Sequence, residues 1–138
     1  MKIKIIIDTN CWISFILSKY SGNFPDFFND NRIKFYFSYL LLNEIHNTLE
    51  YGRSKKRFNE ENYRQFISFV DHSAAVIEST SVVNACRDPK DNFLLALAKD
   101  AGADYLITRD GDLLVLEKFE NTVILTLSQF TEYIKPAI

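Results

Sequence analysis

The stretch Lys2-Ile3-Lys4-Ile5-Ile6-Ile7-Asp8-Thr9-Asn10 decides how this chain folds. Ile3, Ile5, Ile6 and Ile7 are β-branched, and the run reads as a strand buried on both faces, the kind found in the middle of a parallel sheet. It stops at a carboxylate, Asp8. Ligands of open α/β sheets bind beyond the carboxyl ends of the strands, so Asp8 is placed to hold a metal ion or meet a substrate. Asp, Thr and Asn are also good helix caps, and capping of the next helix is the competing reading.

Outward from this strand, apolar periodicity changes from two to about 3.6 and back. Trp12, Ile13, Ile16, Leu17 and Tyr20 lie at helical spacings, and Ser21-Gly22-Asn23 ends that run. A short apolar segment spans 24–28, with Pro25 in its first turn. Residues 33–39 read as a second strand. A helix over about 40–51 follows, capped by Ser38. Its apolar stripe holds Leu41, Ile45, Thr48 and Leu49, and Glu44, three residues after Leu41 and four before Thr48, is expected on the same inward side. A helix around Tyr63, Phe66, Ile67 and Val70 and a strand over 74–77 come next. Asp88-Pro89 then forms a cap followed by a first-turn proline for a helix over 93–101, which Gly102 ends. The rest reads as a buried strand over 104–108, a short helix over 113–116, a strand over 123–125 and a helix over 128–134. Strands alternating with helices imply a parallel sheet covered on both faces, within a single domain over 1–138.

Four carboxylates stand out by position. Asp8 and Asp110 follow two core strands, Asp91 opens the helix leading into the second of them, and Glu44 faces inward. Strand ends and helix starts share one rim of a parallel sheet, so all four are expected around one cleft. Two unit charges about 4 Å apart repel by roughly 4 kcal/mol at an effective dielectric near 20. Such a cluster needs raised pKa values or a bound cation, and an all-oxygen set suits Mg²⁺ or Mn²⁺. His46 and His72 fall outside it and read as surface residues, which argues against zinc.

Together, Ile-Ile-Asp8-Thr9-Asn10, Glu44, Asp88-Pro-Lys-Asp91 and Leu-Ile-Thr108-Arg-Asp110-Gly-Asp112-Leu-Leu resemble a PIN domain, in order and over essentially the whole chain. The likeness is greatest to prokaryotic PIN proteins classed as toxins of toxin–antitoxin systems, relatives of the VapC toxins. It implies a three-layer α/β/α fold around a five-stranded parallel sheet. It also implies a Mg²⁺- or Mn²⁺-dependent endoribonuclease acting on single-stranded RNA, with an antitoxin partner and a homodimer or higher homo-oligomer. By position, Asp8, Glu44, Asp91 and Asp110 would be the catalytic, metal-binding carboxylates and Asp112 a further ligand. Thr9, Asn10 and Thr108 would be neutral supporting or phosphate-contacting groups. Asp88 is assigned to capping. Many relatives carry Gly where Arg109 stands.

Composition sets the outer bounds. Hydrophobic residues at 47% allow a full core in 138 residues, and 25% charged residues are ordinary for a globular chain. A net charge of −2 excludes a general basic coat, leaving Arg53, Lys55, Lys56 and Arg57, flanked by Tyr51 and Phe58, as a local RNA-contacting stretch or a solvated turn. Cys11 and Cys86 show no metal or disulfide spacing and read as reduced core residues. No apolar run reaches membrane-spanning length and no signal-peptide pattern opens the chain, so a cytoplasmic location is expected. Two other readings compete. A haloacid-dehalogenase-like phosphohydrolase wants a second Asp where Asn10 stands and leaves Glu44 idle. A non-catalytic PIN-like module that only binds RNA or protein leaves the four carboxylates unexplained.

Overall fold

A computed structural model describes residues 2–18, 26–54 and 59–134, with side chains in all of these except 52–54. The sheet has the strands β1 (Ile3–Ile7), β2 (Ile33–Ser38), β3 (Ala74–Ile77), β4 (Tyr105–Ile107), β5 (Lys118–Phe119) and β6 (Thr122–Leu125), in the order β3-β2-β1-β4-β6-β5. Five of them are parallel, as expected, and β1 lies at the centre with Ile5, Ile6 and Ile7 almost fully buried. The two-residue β5 pairs antiparallel with β6 and is an addition to the five-stranded expectation. Two residues carry no readable periodicity; the strand exists because Glu120, at φ 50°, turns the chain back onto β6.

The helices are α1 (Thr9–Ile16), α2 (Tyr39–Ser54), α3 (Glu60–Ser73), α4 (Asn92–Ala101), α5 (Gly111–Leu114) and α6 (Leu127–Ile134), with 3₁₀ turns at Asp26–Asn29 and Pro89–Asp91. Trp12 is the hub of one aromatic layer, its ring centroid 5.1 Å from Phe37, 5.2 Å from Phe28 and Phe66 and 5.8 Å from Phe69. Leu94, Leu95, Leu97 and Ala98 of α4 are buried as well and complete the core. Gly102 closes α4 in the left-handed conformation at φ 62°, which a residue without Cβ adopts cheaply.

Helix α1 ends earlier than its apolar spacing suggests. Ser18 carbonyl oxygen accepts from Asn59 Nδ2 at 2.8 Å and from Asn62 Nδ2 at 3.1 Å, which takes it out of the helical ladder. Asn62 is fully buried, and Asn59 also caps α3 by accepting from Asn62 N–H. The expected helix end at Ser21-Gly22-Asn23, and Tyr20, Phe24 and Pro25, lie outside the described residues. Ser38 does cap α2, accepting from Leu41 N–H at 3.0 Å.

The crossovers step from β1 to β2 and β3 on one side and return to β4 and β6 on the other. The chain therefore reverses direction between β1 and β4, and the crevice beyond their carboxyl ends is the switch point where α/β sheets bind ligands. Asp8 closes one side of it and the Thr108–Asp110 turn the other.

Candidate metal centre

Asp8 leaves β1 still tied to β4, its N–H donating to Ile107 carbonyl oxygen at 2.9 Å. It opens α1 with its backbone, since its carbonyl accepts from Cys11 and Trp12 N–H groups, but its side chain makes no cap hydrogen bond. It is 6% exposed, and Thr108 Oγ1, fully buried, donates to its Oδ2 at 2.6 Å. Burial pushes the Asp8 carboxyl above its ordinary range and the charge of Asp110 adds to that; Thr108 and the N–H groups of Thr9 and Asn10 pull it down. Thr9 Oγ1, on the next residue, is buried with no hydrogen-bond partner among the described residues. Asn10 is exposed, and its carbonyl oxygen receives Arg109 at 3.2 Å.

Asp110 sits across the crevice. Its N–H donates to Thr108 Oγ1 at 3.0 Å and its Oδ1 caps α5 by accepting from Asp112 N–H at 2.8 Å. One threonine hydroxyl thus joins the two acidic strand ends. Arg109 reaches across to α1, donating to Ser14 Oγ at 2.5 Å.

Asp91 is the most perturbed acid. Its carboxyl is pushed up to about 7, chiefly by burial, then by its hydrogen bond with Asp110 and by the charges of Asp110, Asp8 and Asp88. Its Oδ2 is buried with no hydrogen-bond partner among the described residues. Asp88 caps the 3₁₀ turn through a 3.1 Å bond from Lys90 N–H, as expected, and it does more. Asp88, Asp91 and Asp112 bring one oxygen each within 4.8 Å of one another. Residues three apart eclipse in a 3₁₀ turn, which puts Asp88 above Asp91; the Asp-x-x-Asp spacing held that signal, and a cap assignment alone overlooks it. Arg87 had no such signal. Its guanidinium pairs with Asp112 Oδ1 at 2.9 Å, at the edge of the cluster.

The converging oxygens are thus those of Asp88, Asp91 and Asp112, while Asp110 reaches Asp91 through a hydrogen bond and Asp8 acts on it by charge. Glu44 does not share their burial. The buried stripe of α2 is Leu41, Ile45 and Leu49, and one residue from Ile45 turns the helix about 100°, so Glu44 falls on its solvent flank and is exposed. This corrects the inward placement expected from spacing. His46 is half-buried and contacts Tyr63 OH at 3.4 Å, whereas His72 is exposed, as expected. Lys55, Lys56, Arg57 and Phe58 lie outside the described residues, as does the side chain of Arg53.

The PIN domain family model matches residues 4–112, which include all of these acids. The chain is a member of the PIN domain family. A relative in Methanocaldococcus jannaschii, the uncharacterized protein MJ1680, is 30% identical over 119 residues, covering 84% of this chain and 76% of its own length. No solved structure gives a significant match. PIN domains are generally metal-dependent nucleases, so this one is a nuclease-type module built to work with a divalent cation, and the phosphohydrolase alternative falls away. The residues present fit such an ion: hard oxygen donors, like charges held together, and the partnerless Asp91 Oδ2. Both cysteines are buried and their thiols are pushed up, Cys11 to about 11, chiefly by burial. Among the described residues no helix is long and apolar enough to cross a membrane.

Proposed function

We propose that this PIN domain, residues 1–138 acting as one unit, is a Mg²⁺- or Mn²⁺-dependent endonuclease of single-stranded RNA and the toxin of a cytoplasmic toxin–antitoxin pair, working as a homodimer or higher homo-oligomer. The supporting observation is Asp91: a carboxyl raised to about 7 by burial and by three neighbouring acids, with one oxygen left partnerless. A cation removes both costs at once.

Asp8, Asp91 and Asp110 are the proposed holders of the ion, with Asp88 and Asp112 at its edge and Glu44 approaching from the solvent side of α2. Bound there, Mg²⁺ or Mn²⁺ would supply an acidified water and a counter-charge for the phosphate being cut. The chain's own groups do the rest. Thr108 fixes the Asp8 carboxylate and the Asp110 backbone in one arrangement. Asp91 holds a proton near neutral pH and gives it up when a cation arrives. Thr9 offers its partnerless hydroxyl to the phosphate, and Asn10 contributes its exposed amide. Arg53, Lys55, Lys56 and Arg57 are proposed to hold the RNA backbone away from the acids.

The experiment incubates purified protein with single-stranded RNA, duplex RNA and DNA in Mg²⁺, Mn²⁺ or EDTA, beside Asp8→Asn. Cleavage of single-stranded RNA that needs metal and Asp8 is expected. Absence of cutting with every substrate, or equal cutting by the variant, overturns the nuclease reading. Growth arrest on expression, relieved by a co-expressed neighbouring small protein, tests the toxin assignment.

A further inference from the structure

A second feature of the same rim is a pocket one strand away from the acids. It has a volume of about 160 Å³ and is lined by Ser38 and Tyr39 from the end of β2, Glu78 and Ser79 from the loop after β3, and Phe93 of α4. Its place relative to the metal centre follows from register. Ile3, Lys4 and Ile5 of β1 pair with Ile33, Lys34 and Phe35 of β2, so continuing that register sets Ser38, the last residue of β2, on the same rim as Asp8. Ser38 pairs in turn with Ile77, the residue before Glu78. Phe93 follows Asp91 by two residues at the start of α4. Both the pocket and the acids therefore border the carboxyl rim of the sheet.

Its chemistry is one of acceptors. Ser79 Oγ donates to Asp100 Oδ2 at 2.8 Å, and Ser81 Oγ makes a short bond to Asp100 Oδ1; the N–H groups of Thr80 and Ser81 bind the same carboxylate. Asp100 anchors the loop and uses up both hydroxyl hydrogens, so these two serines face outward only as acceptors. Glu78 is exposed and has no hydrogen-bond or ion-pair partner among the described residues. Ser38 accepts from Leu41 N–H, which leaves its hydroxyl hydrogen to donate. Tyr39, 58% exposed, and Phe93 provide flat apolar surface.

A free carboxylate and spent hydroxyls reject a phosphate. They suit a planar group with adjacent N–H donors and one acceptor. Drug-sized ligands fill roughly 300–1,000 Å³, so this smaller volume takes a single base. Uracil offers one N–H, and adenine and cytosine one amino group each. Guanine offers N1–H and its 2-amino group side by side, the spacing of two carboxylate oxygens, with O6 left for a donor such as Ser38. We propose that the pocket seats one guanine base of the single-stranded substrate beside the scissile phosphate, paired with Glu78 and stacked on Tyr39. This rests on the nuclease reading.

The test has two arms. In the first, metal-free ¹⁵N-labelled protein is titrated with guanosine, inosine and adenosine. Guanosine is expected to shift the amide signals of Tyr39, Glu78 and Phe93, binding about tenfold tighter than inosine, which lacks the 2-amino group. Glu78→Gln should erase that difference while its far-UV circular dichroism stays native. Equal shifts with adenosine, no shifts, or an undiminished preference in Glu78→Gln overturn the proposal. In the second arm, cuts in a mixed-sequence RNA with Mn²⁺ are mapped, and a fixed offset from guanines that Glu78→Gln loses is expected. Cutting with no base preference overturns the guanine seat and leaves the nuclease standing. No cutting at all overturns both, whatever the first arm shows.

Discussion

Thr108 Oγ1 lies 2.6 Å from Asp8 Oδ2 as donor and 3.0 Å from Asp110 N as acceptor, so one buried hydroxyl sets the relative position of the two acidic strand ends. Thr108→Val keeps the shape and removes both bonds. Leaving a buried carboxylate oxygen and an N–H without partners costs roughly 1–3 kcal/mol. A lower melting temperature and a loss of about tenfold in Mn²⁺ affinity, the usual scale for a group that orients a ligand, are expected. Thr108→Ser should recover most of both. Calorimetric titration of the three proteins with Mn²⁺ checks this, and an unchanged affinity in the valine variant would show that Asp8 needs no such positioning.

Asp91 makes the metal-free protein sensitive to pH. Its carboxyl is pushed up to about 7 in the folded chain, above the 3.8 of an ordinary aspartate, so the folded state holds the proton more tightly. The stability this group contributes is complete below the lower value and is lost as pH rises through the upper one. Asp8, raised chiefly by burial, works in the same direction. In EDTA, thermal melts should fall as pH rises across this window. Asp91→Asn cannot ionise and should melt above wild type near about pH 8, with little difference near about pH 4. With Mn²⁺ the order should reverse, because the cation stabilises only a protein that binds it.

Arg87 holds Asp112 Oδ1 at 2.9 Å with side chains 63% and 37% exposed, a pair worth little to folding. Its guanidinium still places a positive charge against the cluster, where an incoming cation must compete with it. Arg87→Met is expected to leave the metal-free melting temperature nearly unchanged and to tighten Mn²⁺ binding. Weaker binding in that variant would mean that Arg87 orients Asp112 and does not compete at it.

Most of the fold was legible because its strands and helices carry strong periodicity: β1, β3 and α4 lie within a residue or so of where their apolar patterns put them. The end of α1 was not, because side chains far along the chain, Asn59 and Asn62, decide it by capturing Ser18. Strand β5 was not, because two residues have no period. At the site, the strand ends and the helix start put Asp8, Asp91 and Asp110 near enough to feel one another's charge, which is what periodicity can reach. Capping explains Asp88 by itself in the sequence; the structure shows the cap and also brings its carboxylate within 4.8 Å of those of Asp91 and Asp112. Glu44 was misplaced because a stripe drawn through Leu41 and Thr48 is wider than the surface that is buried.

That displacement of Glu44 leads to a distinguishing test. An exposed carboxylate on the flank of α2 repels the buried acids only weakly through water, and its removal should not relieve them. Glu44→Gln is therefore expected to leave the metal-free melting temperature and its pH dependence as in wild type, within the roughly ±0.5 kcal/mol usual for surface changes. Asp91→Asn should alter both. In Mn²⁺ titrations both variants lose a proposed ligand, but not equally. Asp91 is already fixed beside Asp8 and Asp110, whereas Glu44 must lose side-chain freedom and shed water to reach the ion. Glu44→Gln should weaken Mn²⁺ binding clearly less than Asp91→Asn. Losses of equal size would establish Glu44 as a full ligand, drawn in from solvent when the metal binds. A loss confined to RNA cleavage, with Mn²⁺ affinity intact, would put Glu44 on the substrate side of the ion.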